Sequence, residues 1–324
     1  MAEVAKIAVH PSQFPEAVRQ DLLASLASRR INHKFHYDSI KQTQRWLALH
    51  QIYSPSRNDE DCAATYDRSF QAMAALLAGQ RIHLIGLGCG GGQKDTRLVK
   101  CLNGSAREIY YSPCDVSTAM VLTAQSAAQS ATPNCFPLVC DFAAAPDLAE
   151  YFQSRTPPQA VRVLTFFGMI PNFEPEVILP WLVSLLRPRD FLLFSANLAP
   201  GADYDAGMKA ILPQYDNPPT RDWLMTFLLD LGVERGDGEL RFGIPDGDAG
   251  LKRVTAEFHF LKTRRLEIDG HRFNFCAGDF VRLFFSYRYT PDRTRDLLAR
   301  HGLSILNQWV AHSEEEGVFL CQRT

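Results

Sequence analysis

The run from Arg81 to Gly92, RIHLIGLGCGGG, limits what this chain can become more than any other stretch. An apolar segment ending in clustered glycines is how an α/β protein brings backbone N–H groups close to a nucleotide-like ligand, because side chains there would block the approach. From about Gln80 onward, apolar strands alternate with helical stretches, the pattern of parallel β-α units wound on one sheet. Arg81–Leu87 reads as the first strand, Glu108–Tyr111 as the second, Phe136–Val139 as the third, Val161–Phe167 as the fourth and Phe191–Asn197 as the fifth. Between them Thr96–Leu102, Thr118–Ser130, Pro146–Ser154 and Glu176–Leu186 read as helices, and Pro188 is a stop signal.

After Asn197 the alternation lapses. Tyr204–Tyr215 and Thr220–Leu231 have helical character, and Gly232–Gly250 reads as a Gly/Asp-rich connection. Val254–Thr263, Arg264–Phe275 and Phe280–Tyr289 carry the β-branched, aromatic and alternating pattern of strands, with Asp269-Gly270 as a hairpin turn. Thr290 and Pro291 open a last helix, and Leu303–Val310 and Gly317–Gln322 close the chain as strands. The first 75 or so residues are mainly helical.

With 324 residues and 46% hydrophobic content the chain can bury a large α/β core or one core plus a smaller lobe. Its formal charge of -2 provides no general attraction to nucleic acid or to a membrane surface. The N-terminal stretch MAEVAKIAVHPSQFPEAVRQ lacks the basic flank and unbroken apolar core of a signal peptide, and no apolar run approaches about 18–20 residues. A soluble, cytoplasmic protein is expected. Eight cysteines include no C-x-x-C pair and no histidine at ligand spacing, so they read as packing thiols of a reducing compartment and no metal site is expected.

Gly86, Gly88 and Gly91 satisfy G-x-G-x-x-G. That pattern alone serves a dinucleotide, S-adenosylmethionine (SAM) or merely a tight turn. The second strand ends at Asp115, placed like a carboxylate that accepts hydrogen bonds from two ribose hydroxyls. At the end of the third, Asp141 followed by Phe142 can receive an adenine amino group and cover its ring. Glycines, an acid, and an acid plus aromatic on three successive strand ends fit SAM better than a dinucleotide, whose diphosphate makes the third acid unnecessary.

From about Asn32 to Cys321 the chain resembles the histidine-specific SAM-dependent methyltransferases, whose best-known members trimethylate the α-amino group of histidine on the way to ergothioneine. Lys34-Phe35-His36-Tyr37-Asp38 is similar to the family's K-W-F-Y-D, and Ile52-Tyr53-Ser54-Pro55-Ser56-Arg57 to E-Y-Y-P-T-R. Gly88-Cys89-Gly90 with Gln93-Lys94 resembles G-S-G…E-K, and Cys140-Asp141-Phe142 resembles G-D-F. The segment Phe166–Asn172 is similar to F-L-G-S-T-I-G-N, one residue shorter, while Gln214-Tyr215-Asp216 resembles A-Y-D and Ser286–Tyr289 resembles S-C-K-F. The resemblance implies an α/β fold built on a Rossmann-like class I SAM-dependent methyltransferase sheet with a smaller substrate-binding lobe. Residues 63–197 plus 287–324 would form the SAM-binding domain, and residues 1–62 plus 198–286 the lobe. It also implies that Tyr37, Asn172 and Tyr215 hold the ends of an amino-acid substrate, with Tyr53 and Gly168 lining its pocket. Gly88, Gly90 and Lys94 would contact SAM, Asp115 its ribose, and Asp141 with Phe142 its adenine.

Three positions depart from the family pattern. Gly86 stands where the family keeps an acid at the end of the first strand, a carboxylate able to hold the amino group of SAM or its water shell. Phe284 stands two residues before Ser286, where the family has a glutamate that grips imidazole, and Phe258 replaces a methionine. Exchanging an anionic acceptor for an apolar surface removes the group that recognises the histidine ring. An aromatic or apolar amino acid or amine suits such a pocket better. The activity expected is therefore N-methylation of an amino acid or small amine, achieved mainly by aligning a neutral amine behind the sulfonium methyl. Two alternatives stay open at this level: a non-catalytic binding or scaffold protein that keeps the fold, and an NAD(P)-dependent oxidoreductase.

Overall fold

The computed structural model describes residues 5–245 and 250–324. Its strands, in chain order, are β1 (Ala8–Val9), β2 (Arg81–Leu87), β3 (Glu108–Asp115), β4 (Leu138–Val139), β5 (Val161–Phe167), β6 (Phe191–Asn197), β7 (Gly238–Gly243), β8 (Lys252–Phe260), β9 (Arg264–Ile268), β10 (His271–Phe275), β11 (Phe280–Arg288), β12 (Leu303–Val310) and β13 (Glu316–Arg323). The chain divides into two compact units. The first comprises the segment ending at Gln13, Pro55–Leu198 and Tyr289–Thr324; the second comprises Phe14–Ser54 and Ala199–Arg288.

In the first unit eight strands form one sheet in the order β1-β4-β3-β2-β5-β6-β13-β12. Neighbours from β1 to β6 run parallel, and β13 lies antiparallel between β6 and β12. The central strands RIHLIGL, VRVLTFF and FLLFSAN are buried almost end to end, as strands must be when both faces of a parallel sheet are covered. Helix Glu60–Leu76 buries Tyr66, Phe70 and Met73, spaced to share one helical face, in a core with Leu84 of β2, Val163 of β5 and Leu193 of β6. Winding starts at β2, adds β3 and β4 on one side, then resumes with β5 on the other. The carboxyl ends of β2 and β5 therefore border the reversal point, where ligands of open α/β sheets bind. This is the class I methyltransferase sheet expected from the resemblance.

The second unit has a three-stranded antiparallel sheet, β11-β8-β7, and a separate β9–β10 hairpin. Asp269 and Gly270 both take positive φ, 48° and 78°, the geometry a two-residue hairpin turn requires. Helices Pro15–Ser28, Ile40–Tyr53, Tyr204–Tyr215 and Pro218–Asp230 accompany the sheet. Asn217 caps the last of these by accepting from the Thr220 amide at 3.0 Å, ahead of a proline at the first helical position.

Some boundaries differ from the sequence expectation. β3 runs on to Asp115, and the third expected strand shrinks to Leu138–Val139, leaving Phe136 exposed. Strand β1 was not foreseen, because two residues are too short for any periodicity to register. The expected Gly232–Gly250 connection contains β7, whose glycines masked a strand; residues 246–249 of that connection lie outside the described residues. Among the described residues no helix is long and apolar enough to cross a membrane.

Candidate active site

The first unit gathers the glycine loop and three strand ends at the carboxyl edge of its sheet. Gly88 adopts φ +64°, and a Cβ there would meet the Met169 side chain at 2.7 Å; a Cβ on Gly92 would strike the backbone of Ala124 at 2.7 Å. Only glycine fits this close passage between the loop and its neighbours. Asp115, at the end of β3, accepts from the amides of Gly90 and Ser117, each at 3.0 Å. Burial pushes its carboxyl up to about 6 against the pull of those amides. Gly86 leaves a space filled from another element. The Asp95 carboxylate, on the first turn of helix Gln93–Leu102, has Oδ2 2.1 Å from where a Gly86 Cβ would stand.

Lys94 is the next residue of that turn. Its Nζ donates to the Tyr66 hydroxyl at 2.6 Å, lies 3.5 Å from Glu316 Oε1 and sits 4.2 Å from the centre of the Tyr66 ring. The Tyr66 hydroxyl also bonds to Glu316 and lies 2.8 Å from Ser195 Oγ, which accepts from the Gly168 amide at 2.9 Å. A phenol has one proton to give and the carboxylate is its stronger acceptor. Burial alone would raise the Glu316 carboxyl, yet the Lys94 charge and the Tyr66 hydroxyl hold it below the usual range. Lys94 is thus the cation of a buried network that tethers Gly168 at the end of β5. Gly168 itself has φ +70° and open space where a Cβ would point. Asn172 closes the short turn Ile170–Asn172 beyond it.

Asp141 follows β4 and caps the turn Phe142–Ala144 by accepting from the Ala143 amide at 3.2 Å. Its own amide donates to Ser12 Oγ at 3.0 Å, and Ser12 Oγ lies 2.9 Å from His10 Nδ1. The N-terminal segment therefore pins the Asp141 loop. Phe142 stacks on Trp181 at 5.1 Å and leans on Phe173 at 5.5 Å.

In the second unit, β11 departs from regular pairing with β8 between Arg282 and Phe284. Such a bulge re-aims the side chain beside it. Two buried histidines hold this one: His36 Nε2 donates to the Leu283 carbonyl at 2.7 Å, and the Phe285 amide donates to His33 Nε2 at 3.2 Å. Burial lowers both imidazoles, His36 to about 4, so they act neutral. Phe284, 7% exposed, stacks on His33 at 5.0 Å and meets Trp223 at 5.9 Å and Tyr215 at 6.1 Å. Tyr37 joins the same group through Trp223 at 5.4 Å and Trp46 at 5.8 Å. The Tyr215 hydroxyl lies 2.9 Å from Ser286 Oγ and accepts from Arg288 Nε at 3.2 Å. Phe258 is 1% exposed and packs edge-on against Phe260, deeper in the same core. Tyr53 ends its helix 45% exposed and is not one of these rings.

The donor set of the first unit suits SAM. Carboxylates at positions 95, 115 and 141 accept from hydroxyl, amino and ammonium groups and disfavour a diphosphate, while Lys94, beside Asp95 on the same helical turn, is neutralised by Glu316. Sequence reasoning missed Asp95, Tyr66, Ser195 and Glu316 in the first unit, and Trp46, Trp223, His33 and His36 in the second. The family motif already contains Lys94, so a search for its buried counter-ion would have flagged an acid. Nothing local singles out Glu316 among three successive glutamates.

The chain matches the family model described as histidine-specific methyltransferase, SAM-dependent, over residues 18–218 and 248–323. It is 22% identical over 275 residues to the N-methyltransferase imqF of Aspergillus flavus, covering 82% of this chain and 73% of that protein. Among solved structures, the CcbJ methyltransferase from Streptomyces caelestis aligns with a TM-score of 0.40 at 16% identity, over 79% of this chain and 94% of that one. The Burkholderia thailandensis 1,6-didemethyltoxoflavin-N1-methyltransferase, solved with S-adenosylhomocysteine, aligns with a TM-score of 0.43 at 10% identity, over 91% and 92%.

Proposed function

This chain belongs to the histidine-specific, SAM-dependent methyltransferase family, and from that premise we propose that it methylates the amino nitrogen of an amino acid or small amine with an apolar or aromatic side chain. A SAM-dependent methyltransferase supersedes both the oxidoreductase and the scaffold alternatives. The observation that carries the substrate reading is Phe284: the bulge in β11 presents an apolar ring, walled by Trp223, Tyr215 and His33, where an imidazole-binding acid would be required. A neutral His33 adds no charge to that wall.

Bound SAM supplies an electrophilic methyl group on a sulfonium. Gly88, Gly90, Asp115, Asp141 and Phe142 are the residues proposed to hold it, with Asp115 for the ribose hydroxyls and Asp141 for the adenine amino group. Tyr37, Tyr215 and Ser286, all of the second unit, are proposed for the substrate. Their hydroxyl groups both donate and accept, so they satisfy a zwitterion without a competing charge. Arg288 holds the Tyr215 phenol oxygen as acceptor, which directs the phenol proton outward to a carboxylate or to Ser286. The amine must be neutral to attack, and an apolar surrounding favours the loss of its proton. No side chain of the set is a dedicated base, so orientation is the main contribution of these residues.

Incubation with SAM and each of the twenty amino acids, plus simple aromatic amines, followed by mass spectrometry for gains of one to three methyl groups, tests the reading. Methylation of aromatic or apolar members is expected; methylation of histidine alone would refute the role given to Phe284.

A further inference from the structure

The family's strand-end acid is missing at Gly86, yet the space it would occupy holds a carboxylate. Asp95 Oδ2 stands 2.1 Å, and its Cγ 3.1 Å, from the position of a Gly86 Cβ. An acid on the first turn of a helix is commonplace and usually faces water. Asp95 instead is 3% exposed and turns into the sheet, where Tyr111 OH donates to Oδ2 at 2.9 Å and Thr165 Oγ1 to Oδ1 at 2.7 Å. Burying a carboxylate is costly without strong compensation. Two neutral hydroxyls compensate only in part, and they occupy about half of the acceptor capacity of an ionised carboxylate. The group lies next to the glycine loop: the same Gly86 Cβ position is 3.4 Å from Cys89 Cβ, and Cys89 precedes the Gly90 amide that Asp115 accepts.

We propose that Asp95 is a SAM-positioning residue: its carboxylate, delivered from the helix into the volume vacated at Gly86, receives the ammonium end of the cofactor in place of the strand-end acid. The glycine and the aspartate are then one device. Gly86 must lack a side chain because Asp95 fills its place, and Asp95 must be acidic because position 86 no longer is. This inference rests on the SAM site described above and deepens it.

The test is titration calorimetry with S-adenosylhomocysteine and with methylthioadenosine, which lacks the amino-acid tail. Asp95→Asn keeps the shape and removes the charge; it is expected to weaken S-adenosylhomocysteine binding by roughly 10- to 100-fold, the usual worth of a hydrogen bond to a charged group. Methylthioadenosine binding should change by less than about twofold. Gly86→Asp alone should also weaken S-adenosylhomocysteine binding, because the new side chain meets Asp95, whereas Gly86→Asp combined with Asp95→Ala should recover most of the wild-type affinity. Equal losses for both ligands in Asp95→Asn, or no recovery in the double variant, would overturn the role of Asp95. Failure of the wild-type chain to bind S-adenosylhomocysteine would overturn the SAM-site reading beneath it.

Discussion

Replacing Tyr66 with phenylalanine removes one oxygen from the centre of the Lys94–Glu316 network. Lys94 loses an acceptor at 2.6 Å, Glu316 loses a donor, and Ser195 loses its neighbour at 2.8 Å. Two of these bonds involve a charged partner, each worth about 1.5–3 kcal/mol. Part of the loss is recovered, because Lys94 and Glu316 lie 3.5 Å apart and can close on each other, while Cys62 still faces Glu316 at 3.5 Å. The phenylalanine ring keeps its contacts with Phe167 at 5.5 Å and Phe70 at 5.9 Å. A net destabilisation of about 2–3 kcal/mol follows, or roughly 5–10 °C in Tm for a unit of this size. Scanning calorimetry on Tyr66→Phe measures it. A shift below about 2 °C would show that Lys94 and Glu316 hold each other without the phenol, and the network account would fail.

Asp95 and Asp115, both pushed up to about 6 by burial, set a pH dependence for cofactor binding. Because their folded pKa values are raised, the stability they contribute is full below about pH 4 and is lost as pH rises through 6; a ligand that needs them ionised binds better over the same interval. The groups facing Asp95 are Lys94, Tyr111 and Thr165, and those facing Asp115 are the amides of Ser117, Gly90 and Val116. S-adenosylhomocysteine affinity should therefore fall about 10-fold or more from pH 7.5 to pH 5.0; a flat profile in calorimetry would contradict it. Phe284→Glu places a carboxylate at a position 7% exposed among His33, Trp223 and Tyr215, and should cost about 2–4 kcal/mol in urea unfolding. The same variant should turn over histidine relative to aromatic amines more readily than wild type, and an unchanged preference would count against the side-chain pocket.

The parallel β-α series was legible from sequence because strand and helix patterns are local. RIHLIGL, VRVLTFF and FLLFSAN announce buried parallel strands from composition alone, and Asp269-Gly270 announces its hairpin because few residue pairs tolerate two positive φ angles. The strand-end positions of Gly88, Asp115 and Asp141 were readable for the same reason, since Asp115 closes β3 and Gly88 and Asp141 lie within two residues of the strands before them. Short or glycine-rich strands were not: Ala8–Val9 and Gly238–Gly243 exist through their partners rather than their own pattern.

What tertiary structure decided is which side chains meet. Nothing in the sequence indicates that Asp95 turns inward to occupy the place of Gly86, that Glu316 is the buried counter-ion of Lys94 more than 200 residues away, or that two histidines hold the bulge carrying Phe284. Read along the chain, Gly86 is the loss of an acid; in three dimensions it is the vacancy that an acid from the adjacent helix fills. Strand and helix periods arise from neighbours on the backbone, whereas the position of a buried charge depends on desolvation and on partners supplied by distant elements, and these exist only once the chain has folded.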